Sequence, residues 1–331
     1  MNSFGRIFRV NIFGESHGEC VGITIDGCPA GLSLTPEDLL PDLERRKGGK
    51  QKGTTPRQES DYPIFKSGVF NNKTTGFPIT ILFENNNVRS EDYEKQRSIP
   101  RPGHADWVAH EKFGGHEDYR GGGHFSARLT AGLVAAGAIA KKLMPLISIQ
   151  AKVTEIGGET DTEKGLQKAI DAKDSVGGIV ECVATGVPVG LGEPYFDSVE
   201  SVLAHMLFTI PAVKGVEFGS GFKAATMFGS EHNDAIEDMS GKTRTNHAGG
   251  VVGGISNGND IVFRLAIKPT ASTPKEQNSL NWDTGQMEDF SVKGRHDLCV
   301  ALRAPVIVEA VTAIVLADFM MLEQKIPRVL Q

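Results

Sequence analysis

The alternation of hydrophobic and polar positions along this chain predicts many short strands with a few helices between them. Apolar residues recur at every second position over short runs, and polar or glycine-rich turns separate the runs. Strands are predicted at residues 6–13, 21–25, 64–69, 77–83, 147–156, 178–185, 210–219 and 261–267. Short helices are predicted from Pro36 to near Gly48 and at residues 162–172 and 198–207.

Two longer apolar stretches, 126–144 and 305–322, predict helices of a different kind. Small residues lie on all faces of the first predicted helix, which is typical of a helix packed closely between layers. Both approach the length of a membrane span, but a lysine pair interrupts the first and two carboxylates the second, so we predict buried core helices. Together the elements predict an α+β fold in which antiparallel β-sheets sandwich the central long helices.

The chain shows no sign of a second domain. No βαβ unit with a GxGxxG fingerprint is present, which disfavours a Rossmann fold. No break in composition divides the sequence either, so residues 1–331 are predicted to form a single domain.

The composition is that of an ordinary soluble globular protein, with 39% hydrophobic and 23% charged residues among 331. Its 39 glycines stand out, and they predict many tight turns and backbone-lined sites. The formal net charge of -6 disfavours a general nucleic-acid binder, because such domains are usually basic. Four cysteines without a CxxC pair, and a start without a basic-then-apolar leader, predict a reducing cytoplasm.

A glycine run leads into the first long helix and reads Asp118-Tyr-Arg-Gly-Gly-Gly-His-Phe-Ser126. Consecutive glycines let the backbone take positive φ values and approach a ligand closely, and Ser126 is a natural N-cap for the helix. Free N–H groups at a helix N-terminus favour an anion, and Arg120 and Arg128 bracket the loop. We therefore predict a phosphate site here. The alternative is a surface turn that only caps a core helix.

Two further features carry candidate chemistry. Six cations crowd one short segment, which is either a solvated loop or an anion clamp that folds over a cleft; they are Arg45, Arg46, Lys47, Lys50, Lys52 and Arg57. His17 follows a predicted strand, where it is either a functional group at the sheet edge or a turn histidine satisfied locally.

Four histidines, at positions 104, 110, 116 and 124, raise the question of a metal site. Their spacings of six, six and eight residues match neither a helix face nor a strand face, and no HExxH motif is present, so no metal is predicted. The glycine loops, the basic segment, His17, His104 and the Arg295/Asp297 pair instead indicate an enclosed pocket for a polyanionic small molecule with acid–base chemistry.

Seven segments, in one order along the chain, resemble the motifs of a known family. They are Phe13-Gly-Glu-Ser-His-Gly18, Arg101-Pro-Gly-His-Ala-Asp106, Asp118-Tyr-Arg-Gly-Gly-Gly123, Ile210-Pro-Ala-Val-Lys-Gly-Val-Glu-Phe218, Asn246-His-Ala-Gly-Gly250, Lys268-Pro-Thr270 and Gly294-Arg-His-Asp297. The family is that of the chorismate synthases, and the resemblance covers nearly the whole chain.

The resemblance implies an antiparallel sandwich around central helices, assembled as a cytoplasmic homotetramer. It implies a lyase that eliminates phosphate in an anti-1,4 sense from 5-enolpyruvylshikimate 3-phosphate to give chorismate, in the shikimate pathway of aromatic amino-acid biosynthesis. Reduced FMN (FMNH2) would be required without net redox change. Fungal members reduce the flavin with NADPH, but nothing here resembles an added reductase domain, so we expect an external flavin reductant. We expect no nucleic-acid or membrane partner.

The resemblance also implies roles for single residues. His17 would protonate the departing phosphate with an imidazole of ordinary pKa, His104 would lie near the flavin ring, and Asp297 would work with flavin N5 to accept the substrate proton. Residues implied to contact FMN are His124, Phe125, Ser126, Asn246, His247, Ala248, Gly254, Lys268, Pro269, Thr270, Ala271, Ser272 and Arg295. Residues expected to bind the substrate are Arg46, Lys52, Arg120 and Arg128.

This chain departs from the family pattern in three places. His124 and Lys52 each stand where an arginine is common, and Leu298 replaces a proline. Since lysine lacks the bidentate grip of arginine, we expect these changes to alter affinities more than the reaction. Two rival functions remain: a metal-dependent hydrolase that uses the four histidines, and a non-catalytic nucleotide-binding regulatory protein.

Overall fold

A computed structural model describes residues 2–49, 51–57, 59–87, 97–292 and 296–331. In chain order the strands are β1 (Ser3–Phe4), β2 (Arg9–Gly14), β3 (Cys20–Asp26), β4 (Ile64–Ser67), β5 (Val69–Phe70), β6 (Lys73–Thr74), β7 (Ile79–Glu84), β8 (Ser148–Ile156), β9 (Gly178–Thr185), β10 (Val213–Phe218), β11 (Val251–Val252), β12 (Ile255–Ser256), β13 (Ile261–Ile267), β14 (Gln277–Asn281) and β15 (Gln286–Phe290).

The α-helices are α1 (Leu40–Arg46), α2 (Asp106–Phe113), α3 (Thr130–Leu143), α4 (Thr162–Ala172), α5 (Val199–Leu207), α6 (Gly229–His232) and α7 (Ala304–Leu322). Short 3-10 turns are found at Pro36–Asp38, Arg120–Phe125, Ala127–Leu129, Tyr195–Asp197, Gly221–Thr226 and Val300–Arg303.

Two antiparallel sheets enclose the two long helices. The first sheet has the order β1-β2-β3-β7-β4 and the second the order β10-β13-β9-β8. Helix α3 packs on β3 and β7, helix α7 packs on β8 and β9, and the two helices pack against each other. The predicted α+β sandwich is therefore confirmed, whereas the single-domain assignment stays a prediction, in keeping with the one hydrophobic cluster that runs through both sheets.

The close approach of the helices explains the small residues of α3. A side-chain carbon placed on Gly137 would lie 2.3 Å from Ala310 of α7, well inside van der Waals contact. The two helix backbones can therefore pack together only because the residue at this crossing has no side chain.

The two carboxylates that interrupt the apolar helix α7 are both compensated. Asp318 accepts hydrogen bonds from the backbone N–H groups of residues 6, 7 and 8, at 2.8, 2.7 and 2.8 Å. Glu309 pairs with Arg45 at 2.7 Å and with Lys141 at 3.0 Å. The stretch Val300–Leu322 is long and apolar enough to cross a membrane, but most of it is buried inside the protein, as predicted for a core helix.

Local start and stop signals were mostly read correctly. At the start of the first predicted helix, Asp38 accepts the backbone N–H of Thr35 at 2.8 Å, and the strand predicted at 210–219 is present but shorter, as β10. Helix α2 was not predicted, because its apolar residues follow no helical stripe and no side chain caps its start. The β14–β15 hairpin was missed because its strands are largely polar.

The polar segment 85–103 lies between β7 and α2. Residues 85–87 and 97–103 belong to no helix or strand, and residues 88–96 lie outside the described residues.

Candidate active site

The glycine run before α3 adopts the predicted backbone. Gly121, Gly122 and Gly123 have φ values of 61°, 83° and 52°, a left-handed region that other residues rarely enter. A side-chain carbon on Gly121 would lie 2.4 Å from the His17 ring. The backbone at this position therefore passes directly against His17. Ser126 accepts a hydrogen bond from the backbone N–H of Arg128 at 3.3 Å, which confirms the predicted cap.

A cavity of about 540 Å³ opens beside this loop, a volume in the usual range for small-molecule sites. The structure brings most of the predicted site residues to its wall: His17, Arg46, His104, His124, Phe125, Ser126, Arg128, Lys268, Pro269, Thr270, Ala271, Ser272 and Asp297. These residues come from both halves of the sequence, so the fold assembles the site from distant segments.

Other predicted residues do not line this cavity. Lys52 bonds to Gln167 at 2.9 Å, and Arg120 pairs with Asp118 at 2.8 Å, although the Arg120 charge still influences His17. Asn246, His247, Ala248 and Gly254 lie away from the wall.

Local bonds account for the Asn246 turn. The Asp234 carboxylate accepts the backbone N–H groups of His247 and Ala248 at 2.8 and 2.9 Å. This turn does not line the cavity, so the cavity geometry does not support its predicted FMN contact. Arg295 lies outside the described residues.

The cavity wall carries an excess of positive charge. Its described basic residues are Arg46, Lys47, Arg57, Arg101, Arg128, Lys268 and Arg303, and its described acidic residues are Glu59, Asp61 and Asp297. This local field opposes the net negative charge of the whole chain, so the cavity is suited to a polyanion. The predicted anion clamp is thus divided. Arg46, Lys47 and Arg57 line the cavity, whereas the half-exposed Arg45 pairs with the buried Glu309, and Lys50 lies outside the described residues.

Asp61 holds two of the arginines together, and sequence reasoning missed it. Its carboxylate contacts Arg46 at 2.5 Å and also contacts Arg128, and its side chain is 1% exposed. Burial would raise the Asp61 pKa, but the two guanidinium groups outweigh burial and lower it. Its φ of 48° is unusual for a residue with a side chain, and such strain often marks functional sites.

His17 is buried against the cavity, with 7% of its surface exposed. Burial, together with the positive charges of Arg57 and Arg120, lowers the pKa of His17 to about 4. The expectation of an ordinary imidazole pKa is therefore wrong for the protein alone. His17 is therefore neutral at physiological pH in the protein alone.

His104 belongs to a charged cluster with two other members of its motif. Its Nδ1 lies 2.6 Å from Asp106, and Asp106 also accepts bonds from Arg101 at 2.7 Å. Burial would raise the Asp106 pKa, but the bonds from Arg101 and His104 hold it well below its usual range. An ionised carboxylate at this distance fixes the proton of His104 on Nδ1 and turns Nε2 away from Asp106. Arg101 also donates to Ser272 at 3.1 Å.

Asp297 is held by both of its oxygen atoms. Oδ1 accepts the backbone N–H of Thr55 at 2.8 Å, and Oδ2 accepts a bond from Arg303 at 2.9 Å. Arg303 was not singled out from the sequence, because a spacing of six residues carries no helical or strand signal.

His124, the residue that departs from the family pattern, has a defined proton position. Its Nδ1 lies 2.9 Å from the backbone carbonyl of Gly14, which can only accept. Nδ1 therefore carries the proton, and Nε2 of the neutral ring is an acceptor.

The metal hypothesis gains no support. Across the described ranges, no three His, Cys, Asp or Glu side chains converge in a way that would hold a metal ion. His104 faces Asp106, His110 stacks on Trp282 at 4.7 Å, and His124 bonds to Gly14.

Comparisons with known proteins agree with the motifs. The family model described as chorismate synthase matches residues 8–321. A chorismate synthase of Chitinophaga pinensis is 70% identical over 330 residues, which cover 99% of each chain. A chorismate synthase of Dehalococcoides mccartyi is 45% identical over 361 aligned positions, which cover 100% of this chain and 99% of that one.

A solved structure titled as that of a chorismate synthase has the same fold. It superposes with a TM-score of 0.73 at 29% identity and covers 97% of this chain and 93% of its own. The chain belongs to the chorismate synthase family.

Proposed function

We propose that this chain is a lyase that converts 5-enolpyruvylshikimate 3-phosphate to chorismate and inorganic phosphate in the shikimate pathway. In this elimination a ring C–H bond and the C–O bond to phosphate are broken, and a new C=C bond forms. The observation that carries the proposal is that His17, His104 and Asp297 line one cavity with an excess of cations. The substrate bears a phosphate and two carboxylates, which such a cavity matches in charge.

We propose reduced FMN as the cofactor, and the chemistry of the wall fits it. The Thr270 hydroxyl is buried and has no hydrogen-bond partner among the described residues, and Lys268 adds a positive charge on the same segment. Residues 268–272 and 124–126 would hold the cofactor. When bound, reduced FMN supplies electron density transiently to the substrate and recovers it, so no net redox change occurs.

His17 is the proposed acid for the departing phosphate. In the protein alone it is neutral, since its pKa is about 4. A phosphate dianion beside it would offset the charges of Arg57 and Arg120 and favour the imidazolium form. His17 therefore takes up its proton as the substrate binds and returns it to the leaving oxygen.

Asp297 is the proposed acceptor of the proton lost from the substrate ring. The bonds from Thr55 and Arg303 fix both of its oxygen atoms, so the carboxylate cannot rotate freely. His104 is a proposed proton donor or acceptor through Nε2 near the flavin ring, with Asp106 fixing its orientation.

The substrate-binding residues we propose from the cavity wall are Arg46 and Arg128, which Asp61 holds side by side. Arg120 acts at longer range through its charge on His17. Lys52 lies outside the cavity wall and is left out of this set.

Replacement of Arg46 by alanine is expected to raise the KM for the substrate by about 10–100-fold, as for the loss of a hydrogen bond to a charged group. The salt dependence of KM should become shallower, because one attractive charge fewer is left for salt to screen. FMN affinity should change little. Steady-state kinetics over a range of salt concentrations, with fluorescence titration of FMN, measure all three. Arg9→Ala, which removes an exposed arginine paired with Asp26, is the matched control. An equal loss of FMN affinity in Arg46→Ala would place this segment at the cofactor instead.

We propose a cytoplasmic homotetramer that receives its reduced flavin from an external source. Large apolar side chains that are almost fully exposed in the single chain support an assembly: Tyr195, Phe196, Phe222, Phe228 and Met239 are 86, 92, 83, 77 and 103% exposed. The four cysteines form no disulfide, as suits a reducing compartment.

The experiment that tests the function is anaerobic turnover by the purified protein. With reduced FMN and the substrate, chorismate and phosphate should appear in equal amounts. With oxidised FMN and NADPH but no reductase, neither should appear. Phosphate without chorismate would indicate a hydrolase, and product from NADPH alone would contradict the external reductant.

A further inference from the structure

We propose that Arg303 is a positioning residue that couples the carboxylate of Asp297 to the substrate-binding segment, residues 46–57. The inference rests on the proposed function, because it takes Asp297 as the proton acceptor. It goes beyond the fixing of the Asp297 oxygen atoms, because it makes Arg303 the link between substrate binding and proton removal.

Arg303 bridges two parts of the site with two different nitrogen atoms. Its Nη1 donates to Asp297 Oδ2 at 2.9 Å, and its Nε donates to the backbone carbonyl of Arg46 at 2.9 Å. Only 14% of the Arg303 side chain is exposed. Burial lowers the pKa of its guanidinium, and the Asp297 charge opposes that shift. The planar guanidinium therefore makes both bonds in a fixed relative geometry.

Further bonds join the same two segments on the other side. Thr55 N–H donates to Asp297 Oδ1 at 2.8 Å. The backbone N–H groups of Leu298 and Cys299 both donate to the Gly53 carbonyl, at 2.9 and 3.2 Å. Asp297 is thus linked to the end of the substrate-binding segment through Thr55 and to its start through Arg303 and the Arg46 carbonyl. A shift of the Arg46 backbone would be transmitted through Arg303 to the carboxylate.

This arrangement gives a physical reason for coupling substrate binding to proton removal. Arg46 lines the cavity, and its backbone carbonyl accepts a hydrogen bond from Arg303. A substrate anion that fixes Arg46 therefore also fixes Asp297, at the point where a displacement of about 1 Å can reduce the rate about 10²-fold.

Two variants separate positioning from packing. Arg303→Met keeps the length of the side chain but removes both donors, so kcat should fall about 10–100-fold even at saturating substrate. Arg303→Lys keeps one positive charge but loses the planar fork that fixes the two bonds relative to each other, so it should recover part of the lost kcat. Arg264→Met, which removes a partly exposed arginine paired with Glu217 on the second sheet, is the matched control and should keep wild-type kcat.

A double-mutant cycle with Asp297→Asn tests whether Arg303 acts through Asp297. If Arg303 acts through Asp297, Arg303→Met should lower kcat little further once Asp297 is asparagine. Should Arg303→Met not fold, as judged by circular dichroism, the cycle is run with Arg303→Lys. Fully additive losses, with no recovery in the lysine variant, would overturn the proposal. Normal kcat in Asp297→Asn alone would overturn the proposed role of Asp297, and absence of turnover by the wild-type protein would overturn the proposed function, so these failures are distinguishable from failure of the positioning proposal.

Discussion

Replacement of Asp297 by asparagine is expected to slow turnover by roughly 10²–10⁴-fold, the usual contribution of a general acid or base. Asparagine keeps the shape of the side chain and one acceptor for the Thr55 N–H, but it is not a base and it cannot balance the Arg303 charge. The loss should therefore appear in kcat. Reduced FMN should still bind, and rapid-mixing absorbance should show altered flavin signals during the reaction.

Asp297 is buried beside Arg303, so folding must be checked together with activity. Circular dichroism should show the secondary structure of the wild type, with a lower Tm because Arg303 loses its charged partner. Asp289→Asn, a change of the same kind at an exposed position of β15, is the control and should keep wild-type turnover. Near-normal turnover in Asp297→Asn with flavin bound would remove this residue from the proton transfer.

Replacement of His17 by alanine is expected to slow turnover by roughly 10²–10⁴-fold, as for Asp297→Asn, and to leave FMN affinity unchanged. It should also abolish a proton uptake that the wild type shows on binding the substrate. The His17 pKa is about 4 in the protein alone, and a bound phosphate dianion would raise it. Between those two pKa values the complex holds more protons than the free protein, so substrate affinity should fall as pH rises.

Calorimetry in buffers of different ionisation enthalpy measures that uptake directly, without reduced flavin so that no turnover occurs. Above pH 7 the substrate phosphate is already largely dianionic, because its second pKa is about 6, so any uptake belongs to the protein. We expect up to about one proton per substrate in the wild type and none from position 17 in His17→Ala. His116→Gln, at an exposed histidine, is the control. Absence of uptake in the wild type would mean that His17 stays a neutral hydrogen-bond donor.

Periodicity and local motifs were enough to predict the fold. The even distribution of small residues along α3 indicated a helix packed on several sides, and Gly137 against Ala310 shows why. The three glycines before Ser126 and the serine cap were also readable, since both depend on residues that are neighbours in sequence.

Site residues could be predicted from the sequence only where they belong to a recognisable motif. The Asp61 bridge between Arg46 and Arg128 joins residues far apart in the chain, and no spacing rule points to it. The His17 pKa depends on Arg57 and Arg120, whose distance from the ring only the fold determines.

Residues whose roles the resemblance implies lie in different places for a similar reason. Lys268 and its neighbours line the cavity, but the Asn246 turn does not, although both belong to equally clear motifs. A motif specifies local backbone and chemistry, whereas its distance from the other motifs depends on packing over the whole chain. The predicted FMN contact of the Asn246 turn would need this turn to reach a cavity, and it does not reach the cavity of its own chain.

Single-turnover absorbance after rapid anaerobic mixing tests whether this chain, with reduced FMN, eliminates phosphate from its substrate to give chorismate. The protein with bound reduced FMN is mixed with 5-enolpyruvylshikimate 3-phosphate, and flavin and chorismate absorbance are followed together. We expect a transient change in the flavin spectrum that returns to that of reduced FMN as chorismate and an equal amount of phosphate form. Phosphate release without chorismate, flavin binding without any product, or flavin left oxidised in proportion to product would each contradict it.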